Sequence, residues 1–203
     1  MELTDEQLAA LGAKIAQQRA ARRENATHLG RTNLARVLPR QYAHATWDHL
    51  LAADPAVPAP VLESLNRWCE RPSTNLLILG DLRVGKSFAA AACLHRVIQD
   101  THTVAFWPCA ELLEVSRERP AVLNEALRVK WLVLDDMGTE QALHPINAEK
   151  LGVLINRRDQ EGLPIITTSC LDPKMLASWL GPRSFERIKQ GVRIQWSGAP
   201  RNA

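Results

Sequence analysis

The chain has 203 residues, a formal net charge of +3, 46% hydrophobic and 23% charged residues. That suffices for one well-buried domain with a modest appendage, not for two full domains, and the balance is that of an ordinary globular protein, neither disordered nor strongly basic. The longest apolar stretch, Phe88 to Leu94, is far too short to span a bilayer, and the N-terminus opens on Glu2, Asp5 and Glu6, so a cytoplasmic protein without membrane association is expected.

In chain order, Thr4 to about Arg23 reads as a helix. Thr4 and Gln7 form a capping-box pattern, and Leu8, Leu11 and Ile15 make a narrow apolar stripe able to dock on a partner. The basic excess is concentrated here, with Lys14, Arg19, Arg22, Arg23, Arg31, Arg36 and Arg40 set against Glu24. Such a face is either simply solvated or meets a partner helix or a nucleic-acid backbone. Asp54 to Pro60 is a stiff Pro-rich turn, after which Val61, Leu62, Leu65 and Trp68 recur at helical spacing.

From there strands and helices alternate. The strand candidates are Asn75–Leu79, Thr103–Trp107, Trp131–Leu134, Pro164–Thr168 and Val192–Trp196, separated by helical stretches near 87–99, 110–128, 145–160 and 173–190. This alternation predicts a parallel sheet with helices on both faces and a ligand at the carboxyl edge of the strands. The four cysteines, Cys69, Cys93, Cys109 and Cys170, form no CxxC pair, and no HExxH or Cys/His cluster appears, so reduced, buried thiols are expected.

Two phrases carry the chemistry. Gly80-Asp81-Leu82-Arg83-Val84-Gly85-Lys86-Ser87 fits the phosphate-loop pattern GxxxxGK[ST] and stands between the first strand and a helix-forming run that starts at Phe88. The glycines let backbone N–H groups turn inward around a polyphosphate, the helix dipole adds positive potential, Lys86 adds a charge, and Ser87 offers a hydroxyl to Mg²⁺. About fifty residues on, Trp131-Leu132-Val133-Leu134-Asp135-Asp136 is an apolar strand ending in two carboxylates. Asp135 can face the metal while Asp136 orients a water, which points to hydrolysis as well as binding.

With Leu38 to Trp47, Leu154-Ile-Asn-Arg-Arg158 and Glu161 to Ser169 added, the chain resembles the AAA+ ATPases grouped as DnaC-type helicase loaders and IstB-type transposition ATPases, over roughly four-fifths of its length. The resemblance implies an α/β P-loop NTPase core at 41–203 with a five-stranded parallel sheet and no C-terminal helical lid, preceded by a short helical docking segment at 1–40. It implies ATP and Mg²⁺ as ligands, a hexameric replicative DNA helicase and single-stranded DNA as partners, and self-association through the core. Nucleotide would be held by the loop Gly80 to Ser87, by Phe88 and by Ser169; Ser87 and Asp135 would hold the metal; Lys86, Asp136 and an arginine finger given to the neighbouring subunit would be catalytic. Motif position favours Arg187 as that finger, with Arg183 second. Two alternatives keep the fold: an ATPase that coats duplex DNA and assists a transposase, and an ATP-switched adaptor that hardly hydrolyses.

Three positions depart from the family's pattern. Cys170 stands where an Asn commonly senses the γ-phosphate, leaving the hydroxyls of Thr168 and Ser169 as substitutes; Arg83 replaces a usual Gly; Asp136 replaces the Glu of many AAA+ proteins. The shorter side chain of Asp136 places the water less well, so slow turnover is expected. Tyr42 and Trp47 fall where related proteins approach the adenine, and either wall the base or pin the incoming segment. Arg157 and Arg158 face a subunit boundary or DNA, or are solvated; Arg117, Arg119, Arg128 and Lys130 lie in a region that approaches single-stranded DNA in the family. Arg201 is a sensor-like residue or part of a frayed terminus.

Overall fold

A computed structural model of the chain describes residue 34 and residues 37–98, 103–139 and 144–200. The expected Thr4 to Arg23 helix and Arg201 lie outside the described residues. Within them a 3₁₀ turn at Arg40–Tyr42 is followed by α1 (Trp47–Leu51), α2 (Ala59–Glu70), β1 (Asn75–Gly80), α3 (Lys86–Val97), β2 (Val104–Pro108), α4 (Cys109–Glu118), α5 (Ala121–Arg128), β3 (Trp131–Asp135), α6 (Pro145–Gln160), β4 (Ile165–Ser169), α7 (Pro173–Leu180), α8 (Pro182–Ile188) and β5 (Gly191–Trp196). No helix among the described residues is long and apolar enough to cross a membrane.

All five strands are parallel, in the order β2-β3-β4-β1-β5. The inner strands β3 and β4 are buried at every residue, as their unbroken apolar runs require when helices cover both faces. Edge strand β5 alternates instead: Ile194 and Trp196 are buried, Arg193 and Gln195 exposed. Period-two alternation of β1 divides the core. Leu76 and Ile78 join Val61, Leu65 and Trp68 of α2 and the alanines of α3 on one face. Leu77 and Leu79 join residues of α4 to α8 on the other. Leu34 and Leu38 are buried in the first of these clusters.

Two stretches expected to be continuous helices are broken. Arg119, forced out of the helical region by the following proline, ends α4 at φ −127°, ψ 81°, and Pro120 begins α5. Gly181, at φ 86°, ends α7, and Pro182 opens α8.

Arg158 is a second departure from expectation. It is fully buried, and its guanidinium donates to the carbonyls of Ala126, Leu127, Val129, Lys130 and Pro164 at 2.8–3.4 Å. It therefore caps the C-terminus of α5 and ties it to the entry of β4, a structural task that faces neither solvent, DNA nor a neighbour. Burial lowers its pKa to about 10, so it stays charged at neutral pH. Its neighbour Arg157 is exposed.

Candidate active site

Consecutive strands β3, β4 and β1 bring their carboxyl ends together, and the two signature phrases meet there. Gly80 leaves β1 at φ 148°, where a Cβ would lie 1.8 Å from the carbonyl oxygen of Trp196; only glycine lets the loop pass β5 so closely. Arg83 adopts φ 61°, a left-handed conformation costing a side-chain-bearing residue roughly 1–2 kcal/mol, which accounts for the glycine common there in the resembling family. Gly85, also left-handed at φ 107°, is the N-cap of α3. Val84 points into the core and anchors the loop, while Asp81, Leu82 and Arg83 are exposed.

Lys86 is 4% exposed, and its ammonium donates to the carbonyls of Gly80 at 3.0 Å and Asp81 at 2.6 Å, lying also 3.2 Å from the thiol of Cys170. The thiol thus occupies the end of β4 directly across from the loop lysine. The other two candidate groups on β4 are engaged elsewhere. Thr168 donates its hydroxyl to Asp135 Oδ1 at 2.6 Å and accepts from the backbone N–H of Asp136 at 2.9 Å. Ser169, fully buried, donates to the Met137 carbonyl at 2.6 Å and accepts from the Leu171 N–H at 3.0 Å. Ser169 therefore shapes the turn after Asp135 instead of presenting a free donor to a phosphate, and Cys170 holds the forward position alone.

Asp135 is 3% exposed and its pKa rises to about 6. Burial is the main cause, hydrogen bonding from Thr168 opposes it, the Asp136 charge adds to it, and Ser87 and Lys86 oppose it. A buried carboxylate so reluctant to ionise, beside the Ser87 hydroxyl, matches the hard oxygen donors that Mg²⁺ takes, one or two from protein and the rest from phosphate and water. Among the described residues no group of three or more His, Cys, Asp or Glu could hold a metal ion. Asp136 is exposed and left-handed at φ 50°, its N–H fixed by Thr168.

Tyr42 is one of the two aromatic candidates. Its hydroxyl interacts with Ser87, its ring lies 5.6 Å from that of Phe106, and burial raises its pKa against the bond from Ser87. Trp47 is remote: Arg96, near the far end of α3, stacks on it at 4.1 Å, so Trp47 pins the incoming segment to the core. His44 packs on Phe88 at 6.0 Å, a neighbour to the loop that carries no sequence signal.

Arg187 lies at the opposite, amino-terminal end of the strands. Its carbonyl accepts from the Asn75 side chain at the start of β1, while its guanidinium donates to Asp159 Oδ2 at 3.0 Å. The six residues of β1, roughly 17 Å, separate Asn75 from Gly80. Arg183 is exposed one turn earlier. Lys130, at the entry of β3, and Arg157, at the exit of α6, also lie away from the loop. Arg119 makes only a loose exposed pair with Glu125 at 3.9 Å. Of the cysteines, Cys93 and Cys109 are buried, Cys69 is half-buried and Cys170 is exposed, so the expectation of uniformly buried thiols fails at the site itself.

The sheet order, the loop and the paired carboxylates define a P-loop NTPase fold of the AAA+ type. Solved structures of that fold resemble the chain over most of its length. One described as DnaI superimposes with a TM-score of 0.67 at 23% identity, covering 81% of this chain and 94% of that one. The DnaC helicase loader gives 0.60 at 20%, covering 67% and 88%. The replication initiator DnaA bound to AMPPCP and single-stranded DNA gives 0.61 at 16%, covering 80% of this chain and 51% of that one. No protein-family model matches the sequence, and no curated protein does.

Proposed function

We propose that the protein is an ATP-dependent loader of a replicative DNA helicase. Its segment 1–40 grips the hexameric helicase; its core, 41–203, binds ATP with Mg²⁺, contacts single-stranded DNA and associates with copies of itself. The observation that supports this most is that Arg187, the expected finger, stands apart from its own chain's phosphate loop. Lys86, Ser87, Asp135 and Asp136 gather at one sheet edge, whereas Arg187 is tied to Asp159 and Asn75 at the other. An arginine that must come from a neighbour makes hydrolysis a report of assembly, and such a finger is worth roughly 10³ to 10⁵ in rate.

In this reading the backbone of Gly80 to Ser87 receives the polyphosphate and Lys86 exchanges the Gly80 and Asp81 carbonyls for phosphate oxygens. Ser87 and Asp135 hold Mg²⁺, which when bound neutralises charge on the phosphates. Asp136 orients the attacking water. Phe88 and Tyr42 border the nucleotide. Helicase is gripped in one nucleotide state and released in the other. Mixing the full chain with its cognate helicase hexamer in ATP tests this: the two co-elute on size exclusion, and separation at every salt concentration overturns the reading.

Cys170 favours a second reading, an ATP-switched adaptor that hardly hydrolyses, because a thiol is a weak donor to a phosphate. Single-turnover hydrolysis separates the two. Brisk turnover stimulated by partner or DNA excludes the passive switch.

A further inference from the structure

Along the edge strand β5 runs a groove of about 620 Å³, lined by consecutive residues of β5 from Gly191 to Gln195 and by Arg67 of α2. Its floor is apolar, formed by the buried Leu77 and Leu79 of β1, and Phe185 of α8 makes one wall. The residues lining it include three cations, Arg67, Lys189 and Arg193, and no acid. Lys189 is paired with Glu186 at 2.5 Å and Arg67 donates to Ser64 at 3.2 Å, but Arg193 is exposed and makes no hydrogen bond or ion pair within the described residues. Since β5 pairs only with β1, its outer edge also carries backbone donors and acceptors unmatched in the sheet.

We propose that this groove binds an acidic, extended peptide segment of a protein partner, added to the sheet beside β5. The open edge offers a main-chain ladder, carboxylates on those residues of the added strand that share the face of Arg193 meet Arg193 and Lys189, and the apolar residues between them lie beside Val192 and Ile194 on the other face. Two observations favour a peptide over a nucleic acid. Single strands bind by stacking bases on aromatic faces, and the ring of Phe185 is already faced by the Lys189 ammonium at 5.6 Å. The β5 side chains beside the peptide's apolar residues, Val192 and Ile194, are aliphatic, which suits Val or Leu side chains better than bases.

The location also gives such a strand a route to the phosphate loop. The Trp196 carbonyl at the end of β5 accepts from the Asp81 N–H at 3.0 Å, and Gly198 N–H donates to Asp81 Oδ2 at 3.1 Å. A strand laid along β5 bears on the residues that fix the loop's first turn. The docking surface itself does not depend on the helicase-loader reading.

The test uses the isotope-labelled full chain without nucleotide, titrated with a peptide of alternating Glu and Val as long as the six residues of β5. Amide shifts are expected along Gly191–Trp196 and at Asp81, with affinity lower by about tenfold in Arg193→Glu and retained in Arg193→Lys. Silence of the β5 amides overturns the proposal, as do equal shifts with a Lys and Val peptide. Displacement of the Glu and Val peptide from β5 by a single-stranded oligonucleotide also overturns it, in favour of nucleic acid. Because neither ATP nor helicase is present, failure here is distinct from failure of the loader reading.

Discussion

The ammonium of Lys86 lies 3.2 Å from the thiol of Cys170, joining the phosphate loop to the end of β4, and in the proposed site this is where a γ-phosphate would need a donor. A thiol donates weakly, whereas a side-chain amide bonded to a charged oxygen contributes about 1.5–3 kcal/mol. Cys170→Asn is therefore expected to raise single-turnover hydrolysis by about tenfold or more, and Cys170→Ala to leave it nearly unchanged. Rapid-quench measurement of the three proteins under identical assembly conditions checks this.

Asp135 gives the site a pH signature. Its folded pKa, about 6, is raised from 3.8, so its contribution to stability is full below 3.8 and lost as pH rises through 6. Without metal, ionised Asp135 thus weakens the fold at neutral pH by an amount of order 3 kcal/mol. Asp135→Asn should raise the thermal midpoint by several degrees at pH 8 in the absence of Mg²⁺ and lose that advantage at pH 4. Mg²⁺ affinity of the native protein, read by thermal shift with nucleotide present, should fall by about tenfold per pH unit below 6.

Arg158 and Arg157 are adjacent in sequence and opposite in consequence. Arg158→Met leaves the carbonyls of Ala126, Val129 and Pro164 without their donor inside the core, and should cost about 3 kcal/mol or more in urea unfolding. Arg157→Ala, on the exposed side of the helix, should stay within about 0.5 kcal/mol.

This pair also marks where sequence reading stops. The five strands were legible to within a residue or so because a strand covered on both faces must be an unbroken apolar run, as in Leu76–Leu79 and Trp131–Leu134. The loop glycines were legible because backbone geometry demands them. Strand order was open, since β1 passes over two neighbours before β2 and only tertiary pairing records that. Whether Arg157 or Arg158 turns inward depends on a rotation of about 100° along α6, and α6 is buried on too broad a face for periodicity to decide. Thr168 was visible as a hydroxyl near the phosphate, but its bond to Asp135 follows from β3 and β4 lying side by side. The withdrawal of Ser169 follows from the turn at Gly138, where any Cβ would meet Leu171 at 2.3 Å.

In the proposed site one chain supplies Lys86, Ser87, Asp135 and Asp136 while another supplies Arg187. Asp136→Asn and Arg187→Ala, each expected to lower ATP hydrolysis by at least about a hundredfold alone, test it when mixed. At an interface where the Arg187→Ala subunit offers its intact phosphate site and the Asp136→Asn subunit offers its arginine, a complete site forms. Steady-state ATPase in the presence of the assembling partner should therefore recover in the mixture to a substantial fraction of the native rate. No recovery at any ratio, with both variants still assembling, would contradict a site shared between subunits.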